Sequence, residues 1–184
     1  MRRAWVVLWS VVAATAIVAF SFATADDLLG GAGAAARNSA RFSAFLFAVA
    51  LAARAGRPPQ LGAHQIELTL GFVAAHAIHY GTVLARAAID PANALRQPSL
   101  DALVVVAGGV GLLALVGLTA RAHSTSASRA HAIAFYIVGA IFAAALAPHV
   151  RAHAIPSAIV LATLIAAFLW RIGNAFARRQ ARGA

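Results

Sequence analysis

The chain contains no cysteine and no lysine, and only five acidic residues among 184. Without cysteine there is no disulfide, no thiolate metal site and no cysteine nucleophile. Asp26, Asp27, Asp90 and Asp101 fall between apolar runs, which leaves Glu67 as the one acid inside a run. Hydrolysis by paired carboxylates therefore has no candidate residues, and no Ser-His-Asp set stands out. Charged residues make up 11% of the chain, against about a quarter in soluble domains. That shortage excludes an ordinary soluble domain.

Apolar residues fill the space instead: they are 62% of the chain, and the mean hydropathy is +0.81. Long runs at this density read as helices crossing a bilayer, each of about 20 residues. Six are expected, at 4–23, 38–54, 61–84, 100–120, 130–147 and 155–176. The fold class is all-α, a polytopic membrane helix bundle that forms a single transmembrane domain over 1–184. No length is left for a second, soluble domain. Pro98, Pro148 and Pro156 sit near run ends, where proline is least costly. Pro148 is expected to end the fifth helix before His149 can face inward.

All 15 basic residues are arginines, giving a net charge of +10 and a pI near 11.9. In a soluble protein that balance suggests nucleic acid. Here the arginines stand at the ends of apolar runs, which assigns them to topology and anionic headgroups. No nucleic-acid partner is expected. With a cytoplasmic N-terminus, Arg2, Arg3, Arg54, Arg57, Arg121, Arg129, Arg171, Arg178, Arg179 and Arg182 lie inside. Arg37, Arg41, Arg86, Arg96 and Arg151 lie outside. This excess predicts that both termini are cytoplasmic, with Trp5, Trp9 and Trp170 at the same interface as an aromatic belt. "MRR", an apolar stretch and "ATADD" (23–27) imitate a cleaved signal peptide. The apolar stretch is longer than the usual h-region of about 7–15 residues, so a retained first helix is favoured.

"GAGAAA" (31–36) fits G-x-G-x-x-A, but it follows a membrane span and has no acid near residue 53. Nucleotide binding needs both a preceding strand and that acid, so the segment is expected to be a small-residue loop. Gly108, Gly109, Gly111 and Gly117 are expected to let the fourth helix pack closely.

The histidines are distributed unevenly. His123 lies in a polar loop, whereas His64, His76, His79, His131, His149 and His153 crowd the third and fifth runs and their ends. Ionisable residues within a membrane are functional candidates by default. Neutral imidazole ligates haem iron, and ligation satisfies a nitrogen that lipid cannot. The third and fifth helices run the same way, with His64 and His131 near their inner starts. His76 and His79 follow His64 by about 18 and 22 Å along the axis, and His149 follows His131 by about 27 Å, five whole turns on. Two stacked sites are compatible with this spacing: an inner one pairing His64 with His131, and an outer one pairing His76 or His79 with His149.

These residues resemble a known family. "LGFVAAHAIHYGTVL" (70–84) is similar to a third helix carrying H-x-x-x-Y, here His76 and Tyr80. "GLTARAHSTSASRAHAIAFY" (117–136) resembles the segment where a fourth helix exits and a fifth begins at a histidine, here His131. "ARNSARFSAFLFAVALAARAG" (36–56) resembles the second helix, with an arginine at its entrance. The pattern is that of the ferric reductase-like transmembrane domain, closest to the YedZ-type haem-binding membrane subunits. Ala144 stands where that family usually carries a second histidine on helix five, and Ala63 and His64 where it tends to carry basic residues.

The resemblance implies haem b, one or two per chain, with His76 and His131 as axial ligands to iron. It implies single-electron transfer in a bacterial inner membrane, with flavin or quinone supplied by a partner and a soluble reductase or metal chelate as acceptor. Tyr80, Tyr136 and Arg129 are candidates for contact with haem, and interface anchoring accounts for them equally well. Two readings of other classes stand beside it. One is a small transporter or proton-coupled channel subunit in which Glu67, one turn after His64, forms a protonatable pair with it. The other is a structural subunit whose histidines bind zinc or nothing.

Overall fold

A computed structural model describes residues 4–54, 59–92, 109–118, 120, 125–152 and 154–183. The regular elements among them are helices. They are α1 (Ala4–Ala23), α2 (Leu28–Ala53), α3 (Gln65–Ile89), α4 (Gly109–Leu118), α5 (Thr125–Ala152) and α6 (Ala154–Gly183), with a single turn at Pro59–Gly62 before α3. Four stretches are long and apolar enough to cross a membrane: Ala4–Ala23, Gln65–Ile89, Arg129–Ala147 and Ile155–Ala177. That is the character of a multi-pass membrane protein. The fourth expected span begins at residue 100, and its first nine positions lie outside the described residues, as do His123 and His153.

α2 departs from expectation at its start. The helix begins ten residues before Asn38, and "GAGAAA" is helical rather than a loop. Asp27 explains the early start: its side chain caps the first turn, accepting from the Gly30 N–H at 2.6 Å. The small residues then let α2 lie close to α1. A side chain on Gly31 would collide with the ring and backbone of Phe22. α2 packs against α1, α3 and α6 and is buried along much of its length. It also carries Arg37, Asn38 and Arg41, which keeps it off the list of apolar spans.

α3 starts after His64, which is its N-cap and is exposed. α5 runs through Pro148 to Ala152, so the proline does not end the helix. Proline removes a single i→i−4 bond, here the one Ala144 would accept, and the flanking turns keep theirs. Pro156 falls in the first turn of α6, where its missing N–H has no helical partner to lose.

Between helices in lipid the hydrophobic effect supplies little, and close packing supplies most of the cohesion. The centre is an aromatic cluster drawn from three helices. Phe47 of α2 lies 4.7 Å from Phe135 and 5.5 Å from Phe142 of α5, and 5.2 Å from Phe72 of α3, ring centre to ring centre. Such pairs add about 0.5–1.5 kcal/mol each beyond burial. Gly139 of α5 makes room for the Phe168 ring of α6. Gly71 of α3 meets Ser10 of α1, whose hydroxyl is turned back onto the Val6 carbonyl at 2.8 Å.

Candidate functional site

Antiparallel pairing of α2 with α3 brings two serines against the two histidines of "AAHAIHYG" (74–81). Ser39 and Ser43 are one turn apart on α2, and His76 and His79 are one turn apart on α3. Ser43 Oγ lies 2.5 Å from His76 Nδ1, and Ser39 Oγ lies 3.1 Å from His79 Nδ1. Ser39 also donates to the Ala36 carbonyl at 3.2 Å, and Thr82 Oγ1 donates to the His79 carbonyl at 2.7 Å. The His79 ring makes a further hydrogen bond to the Ala36 backbone. A carbonyl can only accept, so the ring nitrogen facing it carries the hydrogen.

Both rings line a cavity of about 520 Å³ between α2, α3, α4, α5 and α6. Its walls are largely apolar: Phe72, Leu112, Leu113, Val138, Ile141, Phe142 and Leu146. The His76 ring is packed edge-on against Phe142 at 5.1 Å and Tyr80 at 4.7 Å, and lies 5.2 Å from His79. Arg37, Arg41 and Arg86 line one end of the cavity. Among the described residues no carboxylate pairs with them. Arg41 is held by Asn38 Oδ1 at 3.2 Å, and Asn38 in turn donates to Ser21 of α1 at 3.2 Å. On the α6 wall, Ser157 is fully buried and its hydroxyl has no partner among the described residues. The Tyr80 hydroxyl fills the space that a side chain on Gly109 would need.

The remaining expected histidines are placed apart. His131 is buried, with a hydrogen bond to the Val116 backbone of α4, and it is not a cavity residue. Its ring contacts run from His131 to Phe135, Phe72 and His76, with successive centroid separations of 5.2, 6.4 and 5.6 Å. Eleven residues of α5 separate it from Phe142, about 16 Å of helix. His64 is exposed ahead of α3, whereas His131 is buried in α5. Glu67 is buried in the first turn of α3. Position 149 falls in α5 one turn past the cavity residues Ala145 and Leu146, and its side chain lies outside the described residues. Among the described residues no three His, Asp or Glu side chains converge as a bare metal ion would need.

The two serines, Ser157 and the arginine end were not singled out by spacing. The S-x-x-x-S of α2 facing the H-x-x-H of α3 is the signal that could have found the first pair.

No protein-family model, no curated protein and no solved structure matches the chain.

Proposed function

We propose that the chain is a b-type haem-binding membrane protein that carries single electrons, of the ferric reductase-like kind. One observation carries the reading: two imidazoles, each held at Nδ1 by a serine, face an apolar cavity that three arginines also line, with no carboxylate paired to them among the described residues. The donor set suits haem. Neutral imidazole ligates the iron, apolar walls cover the macrocycle, and arginines pair with propionates. The orphaned Ser157 hydroxyl also fits a cavity meant to be filled, since a buried hydroxyl left unpaired is costly. When bound, haem supplies a one-electron iron couple whose potential depends on axial ligands and burial.

The chain's own residues set the terms of binding. His76 and His79 stand on one wall, so they cannot ligate one iron from opposite faces. A second ligand would come from another helix lining the cavity, and α5, which carries position 149, is one of those helices. Ser39 and Ser43 fix ring orientation, and Phe72 and Phe142 exclude water around His76. The reading places six spans in a bacterial inner membrane with both termini cytoplasmic. A partner flavoprotein or quinone supplies electrons, and a soluble reductase or metal chelate takes them. His131, on separate packing near Arg54 and Arg171, is left for a second haem if two are bound.

The test is a visible spectrum of protein expressed with haem supplied, purified in detergent, oxidised and then dithionite-reduced. A Soret shift and a b-type alpha band are expected. His76→Ala and His79→Ala are expected to differ, one abolishing the spectrum and the other shifting it. A folded, colourless preparation sinks the proposal.

A further inference from the structure

At the end of the bundle away from the cavity's arginines, a second group of cations gathers. Arg54 closes α2 and is half-buried. Arg171 projects from α6, with its guanidinium carbon 4.8 Å from the centre of the Tyr136 ring on α5. α2 packs against α6, and the charges of Arg54 and Arg171 repel across that contact and act on the buried His131. Among the described residues no carboxylate pairs with either arginine.

The local structure accounts for part of this. Arg54 sits where the carbonyl end of the α2 dipole favours a cation. Tyr136 accounts for the face of the Arg171 guanidinium. Neither accounts for its edge. Guanidinium donors lie in the plane of the group, and Arg171 Nη1 is buried with no hydrogen-bond partner among the described residues. A buried charged donor beside a second cation lacks an anion.

We infer that Arg54 and Arg171 form a binding site for a phosphate ester, with an anionic phospholipid headgroup as the source that its position favours. A tetrahedral phosphate can accept from two guanidinium groups approaching from different helices, whereas a carboxylate offers two oxygens in one plane. The level within the membrane points to lipid. Trp170 and Tyr136 beside the site are 49% and 42% exposed, and Trp5 and Trp9 of α1, at the same end, are 57% and 63% exposed. Exposed tryptophan and tyrosine mark the headgroup layer. The inference needs the chain to lie in a membrane, and it does not need haem.

The test uses the full chain, stripped of lipid in a neutral detergent. Native mass spectrometry follows binding of phosphatidylglycerol and phosphatidylcholine, and thermal unfolding follows addition of inorganic phosphate. One phosphatidylglycerol per chain is expected, held at least tenfold more tightly than phosphatidylcholine. Arg54→Gln and Arg171→Gln should each weaken it about tenfold, while Arg129→Gln, an exposed arginine at the start of α5, changes it less than twofold. Should Arg171→Gln not fold, Arg171→Lys keeps the charge, loses the fork and is expected to weaken binding severalfold. Stabilisation by inorganic phosphate, lost in the same variants, with no preference between the lipids, assigns the site to a free phosphate ester. Equal phosphatidylglycerol binding in wild type and folded variants, or no binding of either probe, overturns it.

Discussion

Ser43→Ala is expected to destabilise the protein more than Ser39→Ala, although the two serines do the same kind of work one turn apart. His76 Nδ1 has Ser43 as its partner at 2.5 Å, and Phe72, Tyr80 and Phe142 crowd the ring so that it cannot turn to another. Removing the hydroxyl leaves a buried nitrogen unsatisfied, at a cost of about 1–3 kcal/mol. His79 has a reserve: without Ser39 its ring keeps the Ala36 backbone bond, and Thr82 keeps its bond to the His79 carbonyl. Ser39→Ala therefore removes bonds without orphaning a ring nitrogen, at about 0.5–1 kcal/mol. Interhelical hydrogen bonds in membrane bundles average about 0.6 and reach about 1.7 kcal/mol. That scale brings the expectation to roughly 1.5 for Ser43→Ala and roughly 0.5 for Ser39→Ala. Reversible unfolding in mixed micelles, followed by helical circular dichroism, measures both. A double-mutant cycle of Ser43→Ala with His76→Ala should give a coupling of about 1 kcal/mol, and Ser39→Ala with His76→Ala close to zero. A Ser39→Ala loss equal to or above that of Ser43→Ala refutes the reasoning. So does a Ser43–His76 coupling below about 0.3 kcal/mol, the usual error of additivity.

Gly139→Leu should cost about 1–3 kcal/mol, because the Phe168 and Phe47 rings already occupy the space. Gly81→Ala, with nothing within 4 Å, should instead stabilise by up to about 1 kcal/mol through helix propensity; thermal unfolding of the pair checks both signs. Ser157→Ala should change sign with ligand: neutral or stabilising by about 1–2 kcal/mol without haem, since it removes an unpaired buried hydroxyl, and weakening for bound haem, read as faster transfer to apomyoglobin. Asp27→Ala should cost about 1 kcal/mol, and amide exchange should speed up over 28–36 with little change beyond Ser39.

How far the sequence could be read is clearest helix by helix. The long apolar runs of α1, α3 and α6 were legible because twenty apolar residues have few other homes. α2 was half legible. Arg37, Asn38 and Arg41 interrupt its apolar length, so the run was read as starting only at Asn38, while the capping aspartate that begins the helix is a local signal eleven residues upstream. Pro148 misled for the opposite reason, since a local rule about proline was weighed without the turns on either side that hold α5 together. For the histidines, residue counting fixes depth along one helix and says nothing of how one helix is offset from its neighbour. That is why the position of His131 relative to His76 and His79, which line one cavity, needed three dimensions. Serines on a helix are too common to single out alone, and their meaning came from register.

α2 resolves an apparent contradiction between polarity and membrane insertion. A helix carrying Arg37, Asn38, Ser39, Arg41 and Ser43 cannot face hydrocarbon, because each polar group would go unsatisfied there. It can enter a bundle if neighbours cover it, and α1, α3 and α6 do so. Once inside, its polar face must find partners, and the partners available are polar groups on the same neighbours: Ser21 of α1, and His76, His79 and Thr82 of α3. The low hydropathy that removes α2 from the four apolar helices is thus what places it at the centre, against the histidines. The reverse holds for α3: two imidazoles in an apolar helix are tolerable because α2 meets them with hydroxyls at matching spacing. Replacing the serines by alanines would make α2 more apolar and easier to insert, yet would leave α3 holding two poorly satisfied rings. The pair of helices is therefore one unit, and the site exists because neither could stand in the membrane without the other.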